Sequence, residues 1–256
     1  TTLADAPIFA SNKVPPNLMF TLSVEWPTGV VAAYNDNANT YVDAINLAST
    51  YSCPGRQTFG SASGVGVCYF PAMTYLGYFE SDRCYDYNET NTLDPYFEPA
   101  AQTGSNHSCS SKWSGNYLNW ATSHSLDIFR GVLTGGDRSK DQDGITIVEK
   151  SKHTGQGGYG QFPIKRVGTA ASSTVAGLTN TNTVSPYNVA NLYLRVHNNG
   201  SAIQNGSDTS TLGVTMEVCD QPGFTGCGAT FGTAGGAALK RVVRVKVCDQ
   251  TKTADL

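Results

Sequence analysis

Apolar side chains return every three to four positions between residues 112 and 136, and that spacing predicts one long helix. At about 100° per residue, Tyr117, Leu118, Ala121, Ile128, Phe129, Val132 and Leu133 fall on one broad arc, while Asn119, Ser123, Asp127 and Arg130 fall on the other. The first arc is expected to pack on the core and the second to face water. Ser110, Ser111 or Ser114 can cap the start, Asp127 and Arg130 stand at i,i+3, and Gly135 with Gly136 supplies a left-handed stop.

Elsewhere the pattern is that of strands. Residues 18–24 (LMFTLSV) form a short apolar run bounded by prolines, the signature of a buried, central strand, and 143–150 (DGITIVEK) gives a second candidate. In the last seventy residues Leu192, Leu194 and Val196, then Leu212, Val214, Met216 and Val218, then Val243, Val245 and Val247 alternate with other residues. Period two predicts antiparallel strands over 191–249 with one polar face, and Asn198, Asn199 and Gly200 mark a turn between the first two. Residues 35–110 are rich in Tyr, Asn, Asp, Gly and Pro and read as a loop insertion, with a short helix over 41–51. The tracts 155–160 and 168–188 read as loops. No repeat is visible, and one domain over 1–256 is expected: first strand and following segment 17–34, insertion 35–110, helix 111–136, strand and loops 143–190, C-terminal strands 191–249.

Composition narrows the class. Only 14% of residues are charged and 39% are hydrophobic, the balance of a loop-rich exported protein. A net charge of -3 without a basic stripe gives no footprint for nucleic acid. No stretch approaches the roughly 20 apolar residues of a membrane span. Thr1 reads as a mature terminus left after a signal peptide is cleaved, an inference resting mainly on the seven cysteines. None forms a CxxC pair, so disulfides are the better reading. Neighbour pairing gives Cys53 with Cys68, Cys84 with Cys109 and Cys219 with Cys227. Cys248 is then left over, its partner on another chain or beyond the end of this one.

The candidate chemistry is sparse. Asp137, Asp141 and Asp143 with Gly144 resemble a calcium loop, but in that register the first ligand is Ser139 and the last Lys150, of the wrong charge, so a solvated turn after the helix is the better reading. GSASG at 60–64 carries Ala62 where a nucleophile elbow needs its serine, and His107, His124, His153 and His197 form no metal-binding word. GQGGYG at 155–160 lacks the lysine of a phosphate loop. Asn88, Asn106, Asn199 and Asn205 begin N-x-S/T words and mark exposed loops. No enzyme activity, metal or cofactor is expected. Aromatic residues crowd the insertion. They read first as a minor core, and second as a recognition surface in which Tyr75, Tyr78, Phe79, Tyr85 and Tyr87 are the candidate binding residues.

Several separated words carry a family resemblance: PPNLMFTLSVEWPTG at 15–29, YLGYFESDRCYDY at 75–87, WSGNYLNWATSHSLDIFRGVLTGG at 113–136, FPI at 162–164 and LKRVVRVKVCD at 239–249. Together they resemble the N-terminal region of the PilY/PilC family of type IV pilus assembly and tip-associated adhesin proteins. The resemblance implies a fold of von Willebrand A-related α/β ancestry, here an α+β domain whose central sheet packs on one long helix. It also implies a longer polypeptide with a further cysteine after Asp249 as the partner of Cys248. Many A domains hold a metal through D-x-S-x-S after the first strand, but Ser23, Val24, Glu25, Trp26 and Pro27 stand here, so no such site is carried over. The implied function is a non-enzymatic, bacterial, extracellular or cell-surface factor at the pilus tip, associated with the outer membrane. Its partners would be minor pilins or other pilus components, and a host or abiotic surface. The alternative is a stand-alone secreted subunit that polymerises into a fibre through exposed edges and Cys248.

Overall fold

A single bent segment joins two β-sheets. In the computed structural model the described residues are 21, 32–34, 69–142, 144–151, 165–168, 178, 180–197, 213–221, 223–231 and 236–250. The strand expected over 18–24 lies outside them apart from the exposed Thr21, as do the helix at 41–51, the loop at 155–160 and residues 169–177 and 179 of the tract 168–188.

The larger sheet is mixed. Strands β1 (Arg83–Asn88) and β2 (Tyr96–Gln102) form an antiparallel hairpin in what the sequence presents as loops. Its turn is made by asparagine side chains: Asn88 Oδ1 accepts from Thr90 N and Asn91 Oδ1 from Leu93 N. A bulge between Cys84 and Tyr85 turns both consecutive residues inward, which breaks the alternation that would reveal the strand. The short strand β3 (Trp113–Ser114) pairs with β1 and leads directly into helix α1 (Gly115–Thr122). Helix α2 (Ser125–Thr134) follows, then a hairpin of β4 (Asp137–Gln142) and β5 (Ile145–Glu149).

The smaller sheet is antiparallel throughout, in the order β6 (Lys165–Gly168), β7 (Asn191–His197), β8 (Thr215–Cys219) and β9 (Leu239–Val242). One residue further on, β10 (Arg244–Asp249) enters the larger sheet, parallel to β2 and antiparallel to β5. The larger sheet therefore runs β3-β1-β2-β10-β5-β4. Val243 is the crossing point: its N–H donates to Val214 O and its carbonyl accepts from Lys150 N. The result is a mixed α/β fold with two helices among the described residues.

Four expectations are corrected. The stretch 111–136 is two helices, because Ser123 and His124 take extended backbone and Ala33 N–H donates to Ser123 O at 2.8 Å, adding a bridge from Ala32 to His124 across the break. The acidic stretch after the helix is an edge strand, β4, whose charges suit an unpaired rim. The C-terminal strands divide between the two sheets, and β8 is buried on both faces, with Glu217 held by Arg195 and Lys240. Val247 faces solvent because a bulge after Lys246 shifts the register.

Candidate interaction surface

The WSGNYLNWAT word builds a wall of the core. Ser114 Oγ caps α1 by accepting from Tyr117 N, and Trp113, Tyr117 and Trp120 are fully buried among Tyr69, Phe97 and Tyr187. Asn116 accepts from Tyr75 N and donates to Met73 O and Tyr69 Oη. Asn119 accepts from Phe79 N and donates to the carbonyls of Tyr75 and Phe79. Two buried amides thus replace, for the irregular segment 69–80, the backbone partners a sheet would supply. Gly115 lets that segment close in, since a Cβ there would lie 2.1 Å from Glu80 O. The sequence singles this motif out; its role as a loop clamp was not legible because the clamped loop lies some forty residues upstream.

Helix α2 is inverted relative to its hydropathy. Asp127, on the expected wet arc, is 1% exposed, and Leu126 beside it is also buried. Its carboxylate accepts from His124 N, from Ser151 N and from Lys150 Nζ, the last at 2.7 Å. Lys150 is itself fully buried, and that burial pushes its ammonium below the usual lysine range although Asp127 opposes the shift. The pair pins the start of α2 to the end of β5. On the expected core arc, Phe129 is 50% exposed, Val132 78% and Leu133 exposed as well. Gly135 and Gly136, both at positive φ, end the helix as the sequence predicts, with Gly136 N–H donating to Arg130 O.

The exposed arc borders a groove of about 300 Å³ lined by Leu76, Tyr78, Ile128, Val132, Val148 and Val247. Gly77, Gly131 and Gly135 lie along it and leave it open. Leu76 is 59% exposed. Large apolar side chains from four separate stretches of chain therefore share one open surface, the kind of patch that marks a contact with another protein. On α2 and the strand that follows it, Arg130 pairs with Asp137 and Arg138 with Asp141.

The family model described as PilY1 homolog, small alpha/beta domain, matches residues 66–212. The chain belongs to this family. A type IV pilus biogenesis factor PilY1 homolog of Xylella fastidiosa strain Temecula1 is 34% identical over 155 residues, covering 58% of this chain and 10% of that protein. A second protein of the same name and organism is 38% identical over 80 residues, covering 31% of this chain and 5% of its own length. The chain thus aligns with about a tenth or less of the length of these curated relatives. No solved structure matches.

Within this PilY1 homolog domain the expected site residues are dispersed. Tyr75, Phe79 and Tyr85 are buried in the core: their rings pack edge-on or stacked, and the hydroxyls of Tyr75 and Tyr85 accept from Phe70 N and Glu80 N. Tyr87 is half-buried under Arg241, with its hydroxyl on Val242 N. Tyr78 alone reaches the apolar groove. Asp137 and Asp141 are each engaged by an arginine, and Asp143 lies outside the described residues. Cys84 is bonded to Cys109 and Cys219 to Cys227, while Cys248 is free and exposed; Cys53 and Cys68 lie outside the described residues. Asp220 approaches Cys219 and Cys227 closely, but both sulfurs are used in the disulfide, and its carboxylate accepts from Gly228 N. No helix among the described residues is long and apolar enough to cross a membrane.

Proposed function

We propose that this domain is a non-enzymatic, extracellular module of type IV pilus biogenesis that binds a pilus component through the apolar face of α2. The observation that carries the reading is the inversion of α2: a folded, capped helix keeps Phe129, Val132 and Leu133 in water, Val132 sharing one groove with Leu76 and Val247, a costly arrangement unless another protein covers it. Family membership supplies the context, since the curated relatives carry the name type IV pilus biogenesis factor. The two disulfides fit an oxidising compartment outside the cytoplasm. Minor pilins at the pilus tip are the partner we favour, with surface adhesion as the consequence, and the scaffold is read as a von Willebrand A relative.

The test is a Val132→Asp substitution in the chromosomal protein, scored by the number of surface pili and by co-purification of minor pilins. Loss of both with the domain still folded is expected. Normal piliation and normal pilin recovery would refute the assignment of this face.

A further inference from the structure

Asp127 and Lys150 place an amine and a carboxyl group in one dry site. Lys150 Nζ lies 2.7 Å from Asp127 Oδ2, and the two side chains are 1% and 2% exposed. A nitrogen hydrogen-bonded at that distance sits roughly 3.5 Å from the carboxyl carbon, at the edge of near-attack range. The two carboxyl oxygens have different neighbours. Ser151 N–H donates to Oδ1 at 2.8 Å, a fixed backbone donor able to stabilise charge that develops on that oxygen. His124 N–H donates to Oδ2 at 2.8 Å, and the buried His124 imidazole places Nδ1 3.8 Å from the same oxygen, close enough to carry a proton after a small shift.

We propose that Lys150 and Asp127 condense into an intramolecular isopeptide bond that ties the start of α2 covalently to the end of β5. Nζ bonds to Cγ and the Cγ–Oδ2 bond breaks. Oδ1 becomes the amide carbonyl, still bonded to Ser151 N–H. Of the three ammonium protons, two pass by way of the imidazole to Oδ2, which leaves as water, and the third remains as the amide N–H. No oxidation occurs and no co-reactant is needed. The driving force is the environment: a buried ion pair retains a desolvation penalty that a neutral amide lacks. Burial also lowers the lysine's proton affinity, which favours the amine that attacks. The inference does not rest on the pilus assignment.

Mass spectrometry of the purified chain, reduced and denatured, tests it directly. The expected mass is about 18 Da below that of the linear sequence, the loss of one water, with a branched peptide joining the segments that contain Asp127 and Lys150. The double variant Asp127→Ala, Lys150→Met should return to its full sequence mass. A wild-type chain of full mass, digested into two separate linear peptides, overturns the proposal whether or not any variant folds. A His124→Ala chain that condenses as fast as wild type would remove the imidazole from the proton path.

Discussion

Asn119 grips Phe79 by both ends of its backbone, accepting from its N–H at 3.0 Å and donating to its carbonyl at 2.7 Å. A third bond, to Tyr75 O, uses the second amide donor in a fully buried position. Substituting Asn119 by Ala would leave the N–H and carbonyl of Phe79 unsatisfied, while Tyr75 O keeps its bond from Ser81 Oγ. A loss of about 3 kcal/mol or more is expected, measured by urea unfolding. A loss below about 1 kcal/mol would mean that the segment 69–80 finds other partners.

Gly115 separates packing from propensity. Alanine favours a helix over glycine by about 1 kcal/mol, so propensity alone predicts that Gly115→Ala stabilises. The added Cβ would meet Glu80 O at 2.1 Å and Tyr85 Cε2 at 2.8 Å, and the first of these is backbone that Tyr85 Oη also holds through Glu80 N. Net destabilisation is expected, visible as a lower Tm; an unchanged or higher Tm would show that the loop yields.

These two positions also show what the sequence could disclose. The strands at 145–149, 191–197, 215–219 and 244–249 lie where alternation or an apolar run predicts them, and the stop at Gly135 is written in the glycine pair. The break at Ser123 and His124 has no glycine or proline to announce it. It is made by a tertiary contact, the Ala33 N–H on Ser123 O. Strand β4 contains no apolar residue, so no hydropathy pattern could mark it. The orientation of α2 is not legible in the sequence for a related reason: hydropathy assigns charge to solvent, and only the fold brings Lys150 to Asp127.

The aromatic core makes a prediction about alkaline pH. Burial raises the Tyr69 phenol to about 12, against the opposing hydrogen bond from Asn116, and lifts Tyr85 and Tyr117 higher still for the same reason. A phenol whose pKa is higher folded than unfolded contributes stability that is complete below about 10 and is lost as pH rises through the folded value. Stability should therefore hold to about pH 10 and fall between about 10 and 12, with these phenolates appearing together with loss of the near-ultraviolet circular dichroism. Ionisation of every tyrosine near pH 10 in a chain that keeps that signal would contradict the packing.

The Cys84–Cys109 bridge closes a loop of 25 residues that holds Asn106 and His107 in the left-handed region, and Ser111 just beyond it is left-handed as well. Replacing both cysteines by serine frees that loop in the unfolded chain, and the chain-entropy argument gives a loss of about 3 kcal/mol. Equilibrium unfolding of the double variant is the measurement. Because Cys109 N–H donates to Thr183 O and Ser111 N–H, two residues past the bridge, to Asn182 O, amide exchange should speed at Cys109 and Ser111 before the rest of the domain opens.

The inversion of α2 reverses the usual ranking of substitutions on an amphipathic helix. Hydropathy says that Val132→Lys should be severe and Asp127→Ala harmless. In the structure Val132 is mostly in water, so its replacement removes little buried area and stability should change by no more than about 0.5 kcal/mol. Asp127→Ala instead leaves Lys150 buried without its carboxylate and His124 N and Ser151 N without their acceptor. Breaking one partner of such a buried pair costs about 3 to 5 kcal/mol. Paired urea titrations decide the matter: if Val132→Lys proves the more damaging of the two, the helix packs with its apolar face inward and the surface assigned to a pilus partner is part of the core.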